Sequence, residues 1–210
     1  MVSVWVLTRI PDQPGPPHAR ESLSQNWQQL SPNFKRFLIP SGIFALAYFS
    51  LGFILLKAHA LGFGVTEIVL LYALFNSTCV VSAPLIGKLG DRLGRHHVIM
   101  LGYALYAFVN LWLILASRPW EMWVLLAIYG LFYAIDESQS KAFIADLEPE
   151  RVATAVGFYN FTTGLLYLPA SLIAGTLWAG SPSLAFATAA ALSFTAMAFL
   201  TLQGPGAALR

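Results

Sequence analysis

The residues best equipped for chemistry in this chain lie in one short block, Gly87-Lys88-Leu89-Gly90-Asp91-Arg92-Leu93-Gly94-Arg95-His96-His97. Gly87, Gly90 and Gly94 allow a tight turn and close approach of helices. Asp91 is poised to accept backbone N–H bonds at a helix N-terminus, where the dipole favours negative charge. Arg92 and Arg95 can form bidentate pairs with carboxylates. Such a block suits latching helices together. A second group follows at Asp136, Glu137 and Lys141. Glu137 and Lys141 stand four apart, so they can pair along one helix face for a few tenths of a kcal/mol.

Other chemistries lack their residues. His18 and His59 lie in separate loops, and adjacent His96 and His97 point apart on a helix, so no metal site is expected. The chain has no G-x-x-x-x-G-K-[ST], G-x-S-x-G or H-E-x-x-H pattern. No catalytic residue and no cofactor is therefore expected, and an intramembrane enzyme finds no support. Cys79 is the one cysteine and can form no internal disulfide.

The elements that carry these blocks follow from composition. The chain is 57% hydrophobic and 10% charged, whereas soluble domains are roughly a quarter charged. So few charges cannot cover a water-facing surface of this size, and the apolar excess must face lipid. The net charge of +2 does not indicate a nucleic-acid partner, because the charges fall in short blocks between long apolar runs.

Six such runs are expected to span a bilayer, each near the roughly 20 residues that cross about 30 Å of hydrocarbon. They are Leu38–Leu56, Ile68–Ile86, Val98–Ser117, about Trp120 to Ser140, and roughly 154–178 and 183–202. The last two come from one uncharged stretch, Val152 to Leu209, which must fold back at Ala179-Gly180-Ser181-Pro182-Ser183. Pro40 is read near the start of its span, where a missing N–H is harmless. Pro169 is read as a kink in span five. The small residues Ala153, Gly157, Ser171 and Gly175 there permit close helix contact.

Residues 1–37 read as a cytoplasmic tail or linker remnant, broken by Pro11, Pro14, Pro16 and Pro17, with a short amphipathic helix around Leu23 to Leu30. Residues 38–202 form the membrane domain, and residues 203–210 a cytoplasmic C-terminal tail. No cleaved signal is expected, because the N-terminus lacks a basic n-region and a small-residue cleavage site.

Alternating the loops puts Arg9, Arg20, Lys35, Arg36, Lys88, Arg92, Arg95, Lys141, Arg151 and Arg210 on one side, and Lys57 and Arg118 on the other. Lysine and arginine concentrate in cytoplasmic loops, which predicts both termini inside. Trp112, Trp120, Trp123 and Trp178 fall toward the external ends of their spans, as interfacial anchors do.

The block G-x-L-G-D-R-x-G-R-[basic] resembles the signature loop of the major facilitator superfamily (MFS), found after the second span of either six-helix half. His96 and His97 stand where further arginine or lysine is common, which leaves less fixed positive charge. Glu137-Ser138-Gln139-Ser140-Lys141-Ala142-Phe143-Ile144-Ala145-Asp146-Leu147-Glu148-Pro149 is similar to the end of the fourth span of a half and the loop beyond it. Leu71-Tyr72-Ala73-Leu74-Phe75-Asn76 resembles that group's second span.

The resemblance covers residues 35–202 and implies an all-α, polytopic membrane fold. It would be an MFS-type half bundle of six transmembrane helices, built of two three-helix repeats. It also implies a cytoplasmic charge latch drawn from Gly87, Gly90, Asp91, Arg92, Gly94, Arg95, Asp136, Glu137, Lys141 and Asp146. In that latch Asp91 would cap a helix of the opposite half, and Arg92 or Arg95 would pair with Glu137 or Asp136. The plainer alternative is that these residues are positive-inside anchors.

Spans one and four of each half line the family's cavity, which by resemblance nominates Tyr48, Tyr129 and Tyr133. Asn76, Tyr159 and Asn160 are the further polar candidates, with interhelical hydrogen bonding as the bland alternative. Mid-bilayer carboxylates usually mark ion paths, but Asp136 and Glu137 are read too near the cytoplasmic end for that role.

Family members usually have twelve spans. A truncated product, a half that pairs with another chain, and a homodimer are the three open arrangements. The expected function is secondary transport of a small solute across the cytoplasmic (inner) membrane, with the lipid bilayer, a small-molecule substrate and a second six-helix half or homodimer as partners. The alternative is a non-transporting membrane scaffold or partner subunit.

Overall fold

The computed structural model describes residues 22–203, which are predominantly helical, with no strand among the described residues. The segment of Pro11, Pro14, Pro16 and Pro17 and the tail beyond Gln203 lie outside the described residues. The described residues 22–30 belong to a unit of their own. It carries α1 (Leu23–Gln29), where Ser22 and Gln25 make a reciprocal capping box.

The second unit, from Ser31 onward, is a helical bundle. Its helices are α2 (Pro32–Ala47), α3 (Leu51–Ala60), α4 (Val65–Leu93), α5 (Arg95–Leu115), α6 (Pro119–Leu147), α7 (Val152–Gly180) and α8 (Pro182–Gln203). Several starts follow directly from local sequence. The Ser31 hydroxyl accepts from Phe34 N–H at 3.1 Å ahead of Pro32 at the first helical position. The Glu67 carboxylate accepts from Gly64 N–H at 2.8 Å. Glu121 accepts from the N–H groups of Ser117 and Arg118 at 2.9 and 2.6 Å. The turn between α7 and α8 falls at Ser181, inside the expected cluster.

Helices outrun the uncharged runs that announce them. The segment Lys88–Leu93 is the last part of α4, and α5 starts at Arg95, so the charged block is helix broken only at Gly94. Gly94 has φ +85°, a left-handed conformation that glycine adopts without a Cβ penalty. Pro40 lies well inside α2, because the helix begins six residues before the uncharged run does. Its missing N–H leaves the Arg36 carbonyl without its usual i+4 donor. The Gln203 side chain donates to that carbonyl at 2.9 Å. The helix α7 runs unbroken through Pro169.

Among the described residues, five stretches are long and apolar enough to cross a membrane: Pro32–Ala60, which joins α2 and α3, and α4, α5, α7 and α8. The helix α6, with 29 residues, is not among them and carries Glu121, Asp136, Glu137, Lys141 and Asp146. It packs against α4, α5 and α7.

Small residues set these contacts. A Cβ on Gly130 of α6 would lie 2.8 Å from the Phe75 carbonyl oxygen of α4, and one on Gly102 of α5 would lie 2.8 Å from Ile135 of α6. The helix α8 packs on α5 and α2, and α7 on α2. The core at the centre is aromatic. Phe44 stacks on Tyr103 with ring centroids 4.0 Å apart and meets Tyr106 edge-on at 5.2 Å. Phe132 closes on Tyr106 at 4.8 Å.

The first span is broken where sequence reading gives one continuous helix. Tyr48, Phe49 and Ser50 are non-helical. No proline or glycine occupies the break. The interruption is satisfied from outside: the Tyr106 hydroxyl of α5 donates to the Ala47 carbonyl at 2.8 Å, and the Ser50 hydroxyl accepts from Gly52 N–H at 3.2 Å. Buried backbone groups require such partners.

Candidate functional site

A cavity of about 220 Å³ opens between the break in the first span, α6 and α7. The break presents Tyr48, the C-cap residue of α2. From α6 come Tyr133, Asp136, Glu137 and Lys141, spaced at one, three and four residues along the cavity side of the helix. From α7 come Tyr159, Asn160, Thr163 and Tyr167. The Tyr48 and Tyr167 rings lie 5.4 Å apart, centroid to centroid.

Tyr48, Tyr133, Tyr159 and Asn160 were singled out from the sequence, and the structure brings them together on this cavity. Tyr129 and Asn76 do not line it. Tyr129 is 1% exposed and packs among Phe75, Tyr106 and Phe132. Asn76 lies on the exposed side of α4 and donates to the Tyr72 carbonyl at 2.8 Å. Thr163 and Tyr167 went unnoticed in the sequence. Their signal was spacing, since they fall four and eight residues after Tyr159 on one helical face.

The acidic pair sits differently from its sequence reading. The helix α6 continues ten residues beyond Glu137, to Leu147, which sets Glu137 about 15 Å from the helix end at 1.5 Å per residue. Glu137 pairs with Lys141, as their spacing allows. The Ser140 hydroxyl donates to Asp136 at 3.4 Å.

The charged block at the far end of α4 makes its own connections. Arg95 reaches Asp146 of α6 at 3.1 Å and Asp91 at 3.8 Å. The expected pairing of Arg92 or Arg95 with Glu137 or Asp136 is therefore not the observed one. Asp146 takes Arg95, and Glu137, farther up α6, is held by Lys141. No side chain caps α5, so Asp91 does not cap it within this chain. Arg92 is exposed.

At Gly90 of α4 a Cβ would come within 2.0 Å of the Gln139 Oε1 atom of α6. The Gln139 amide in turn donates to the Ile86 carbonyl at 3.3 Å. Gly87, by contrast, has open space around it.

Sequence reading gave no role to two further ties at this end. The Glu148 carboxylate, 7% exposed, accepts from the Ser31 N–H at 2.6 Å and so joins the end of α6 to the start of α2. A ring nitrogen of His96 bonds the Leu200 carbonyl at 3.0 Å, joining α5 to α8.

The Arg95–Asp146 pair is partly solvent-exposed, at 27% and 50% for the two side chains. Its coupling should be small, about 0.2–1 kcal/mol. A double-mutant cycle of Arg95→Ala and Asp146→Ala, read by thermal unfolding in nanodiscs, should give that value and lose it at high salt. A coupling that persists in high salt would contradict a surface ion pair.

Several helices long and apolar enough to cross a bilayer mark a multi-pass membrane protein. Residues 37–208 match the model of the Major Facilitator Superfamily. The chain is also 33% identical, over 87% of its own length, to an uncharacterized MFS-type transporter of Methanocaldococcus jannaschii, of which it covers 49%. The chain belongs to the Major Facilitator Superfamily, and it spans about half the length of that curated relative.

Proposed function

We propose that this chain is one six-span half of an MFS-type permease. It would move a small solute across the cytoplasmic membrane through a cavity shared with a second six-helix half, supplied by another chain or a second copy. The observation that carries this reading is where the cavity lies relative to the uncovered helices. Only 17% of the most apolar window of α4 and of α7 is buried, against 39–50% for the other apolar spans. The helix α7 forms one wall of the cavity.

The exposed side of α4 combines Val69, Tyr72 and Val80 with the amide of Asn76. That of α7 combines Phe161, Leu165, Leu168 and Leu172 with Asn160. Amides on an apolar helix surface favour a protein neighbour over lipid, where their hydrogen-bonding groups would be only partly met.

In this reading α6 is the remaining span. Enclosed by α4, α5 and α7, it need not be uniformly apolar to lie in a bilayer. The packing supports two three-helix repeats, because α5 on α6 mirrors α8 on α2, and α4 on α6 mirrors α7 on α2. The distribution of lysine and arginine favours both termini in the cytoplasm. The charged Gly90–Asp146 end would then be the cytoplasmic latch, with Asp91 directed to the opposite half.

Transport needs two halves rocking about a shared site. Native mass spectrometry of the protein extracted from its own membrane should show a complex larger than one 22.9 kDa chain. Proteoliposomes containing that complex should exchange solute. A strict monomer without flux would instead favour a scaffold role.

A further inference from the structure

The geometry points to a small organic cation, of the amine or quaternary ammonium class, as the solute that this cavity takes. The inference rests on the cavity being the solute path. Two carboxylates, Asp136 and Glu137, face one ammonium, Lys141, and that ammonium is already engaged by Glu137. On the wall that this half supplies, one negative charge is left over, on Asp136, whose bond from Ser140 is long at 3.4 Å. A carboxylate away from bulk water is costly unless a counter-charge meets it.

The remaining walls suit that counter-charge. Tyr48, Tyr133, Tyr159 and Tyr167 supply four aromatic rings, whose negatively polarised faces attract cations within about 6 Å. A substituted ammonium sheds water more readily than a metal ion and needs few hydrogen bonds. An anion would meet the unmatched carboxylate, and a neutral solute would leave its charge uncompensated. The volume of about 220 Å³ falls below the roughly 300–1,000 Å³ of drug-sized sites, so the cation is small.

Labelled tetraethylammonium provides the test, by scintillation proximity on the native complex in nanodiscs, with benzoate and glucose as competitors. Saturable binding is expected that neither competitor displaces. Asp136→Asn should weaken it about tenfold or more, as should Tyr133→Ala, while Tyr133→Phe keeps the ring and stays within about twofold. Thermal melting checks that each variant is folded, and the Tyr133 pair decides the matter if Asp136→Asn is not.

Unchanged affinity in folded Asp136→Asn, or in Tyr133→Ala, would overturn the cation assignment. Binding of labelled benzoate or glucose in place of tetraethylammonium would also overturn it while leaving the cavity as a solute path. Saturable binding of none of the three would overturn both readings.

Discussion

Gly130→Val should prevent the bundle from assembling. Even an alanine Cβ at this position would stand 2.8 Å from the Phe75 carbonyl oxygen and 2.9 Å from the Thr78 Cβ. The first obstacle is backbone, which cannot rotate aside as a side-chain end can. The helices α4 and α6 share the most extensive interface in the bundle, so separating them disturbs both the cavity wall and the Gly90–Gln139 approach. Overpacking of well-filled sites typically costs about 1–3 kcal/mol. A branched side chain against backbone belongs at or beyond the upper figure. Fluorescence-detected size-exclusion of the tagged protein should show aggregate for Gly130→Val and a weakened but folded peak for Gly130→Ala. Wild-type profiles and melting points for both would mean that α4 and α6 pack differently.

Tyr106→Ala should destabilise the protein nearly as much. Tyr106 is 1% exposed and lies against Phe44, Phe132 and Tyr129. Truncating an aromatic side chain in a packed core costs about 3–5 kcal/mol. Tyr106→Phe separates the hydroxyl from the ring. It leaves the Ala47 carbonyl without its donor at the helix break, a loss of about 1 kcal/mol. Melting curves in nanodiscs should place Tyr106→Phe between wild type and Tyr106→Ala. Equal melting points for wild type and Tyr106→Phe would show that the break does not depend on this hydrogen bond.

The contrast between these residues shows what the sequence could convey. The fold class was legible because lipid demands long uncharged runs, and Val152 to Leu209 had to turn back on itself. Helix ends were less legible. A charge closes an uncharged run but not a helix, so α4 and α6 continue past Lys88 and Lys141. That difference moved Asp136 and Glu137 from an apparent terminus into a cavity wall.

Tyr133 could be picked out through the family resemblance, and Tyr159 and Asn160 because a polar side chain inside an apolar helix needs a reason. Thr163 and Tyr167 passed as ordinary span residues, although they share the face of Tyr159. The break at Tyr48–Ser50 has no local signature, because its stabilising donor comes from Tyr106, 59 positions away from Ala47. The partner of Arg95 was equally hidden, since Asp146, Glu137 and Asp136 are equivalent carboxylates until α4, α5 and α6 are set side by side.

The interruption of the first span divides it mechanically. Its α2 arm is clasped by α7 and α8, pinned by Glu148 at its start and held by Gln203 at the Arg36 carbonyl. Its α3 arm rests mainly on α4, with the Phe53 ring against Trp178. A rod already severed at one point can flex there without rupturing its ladder of backbone bonds. A tilt of the α3 arm about that point would leave the α2 arm in place, and Tyr48, set at the fulcrum, would pass the movement to the cavity wall.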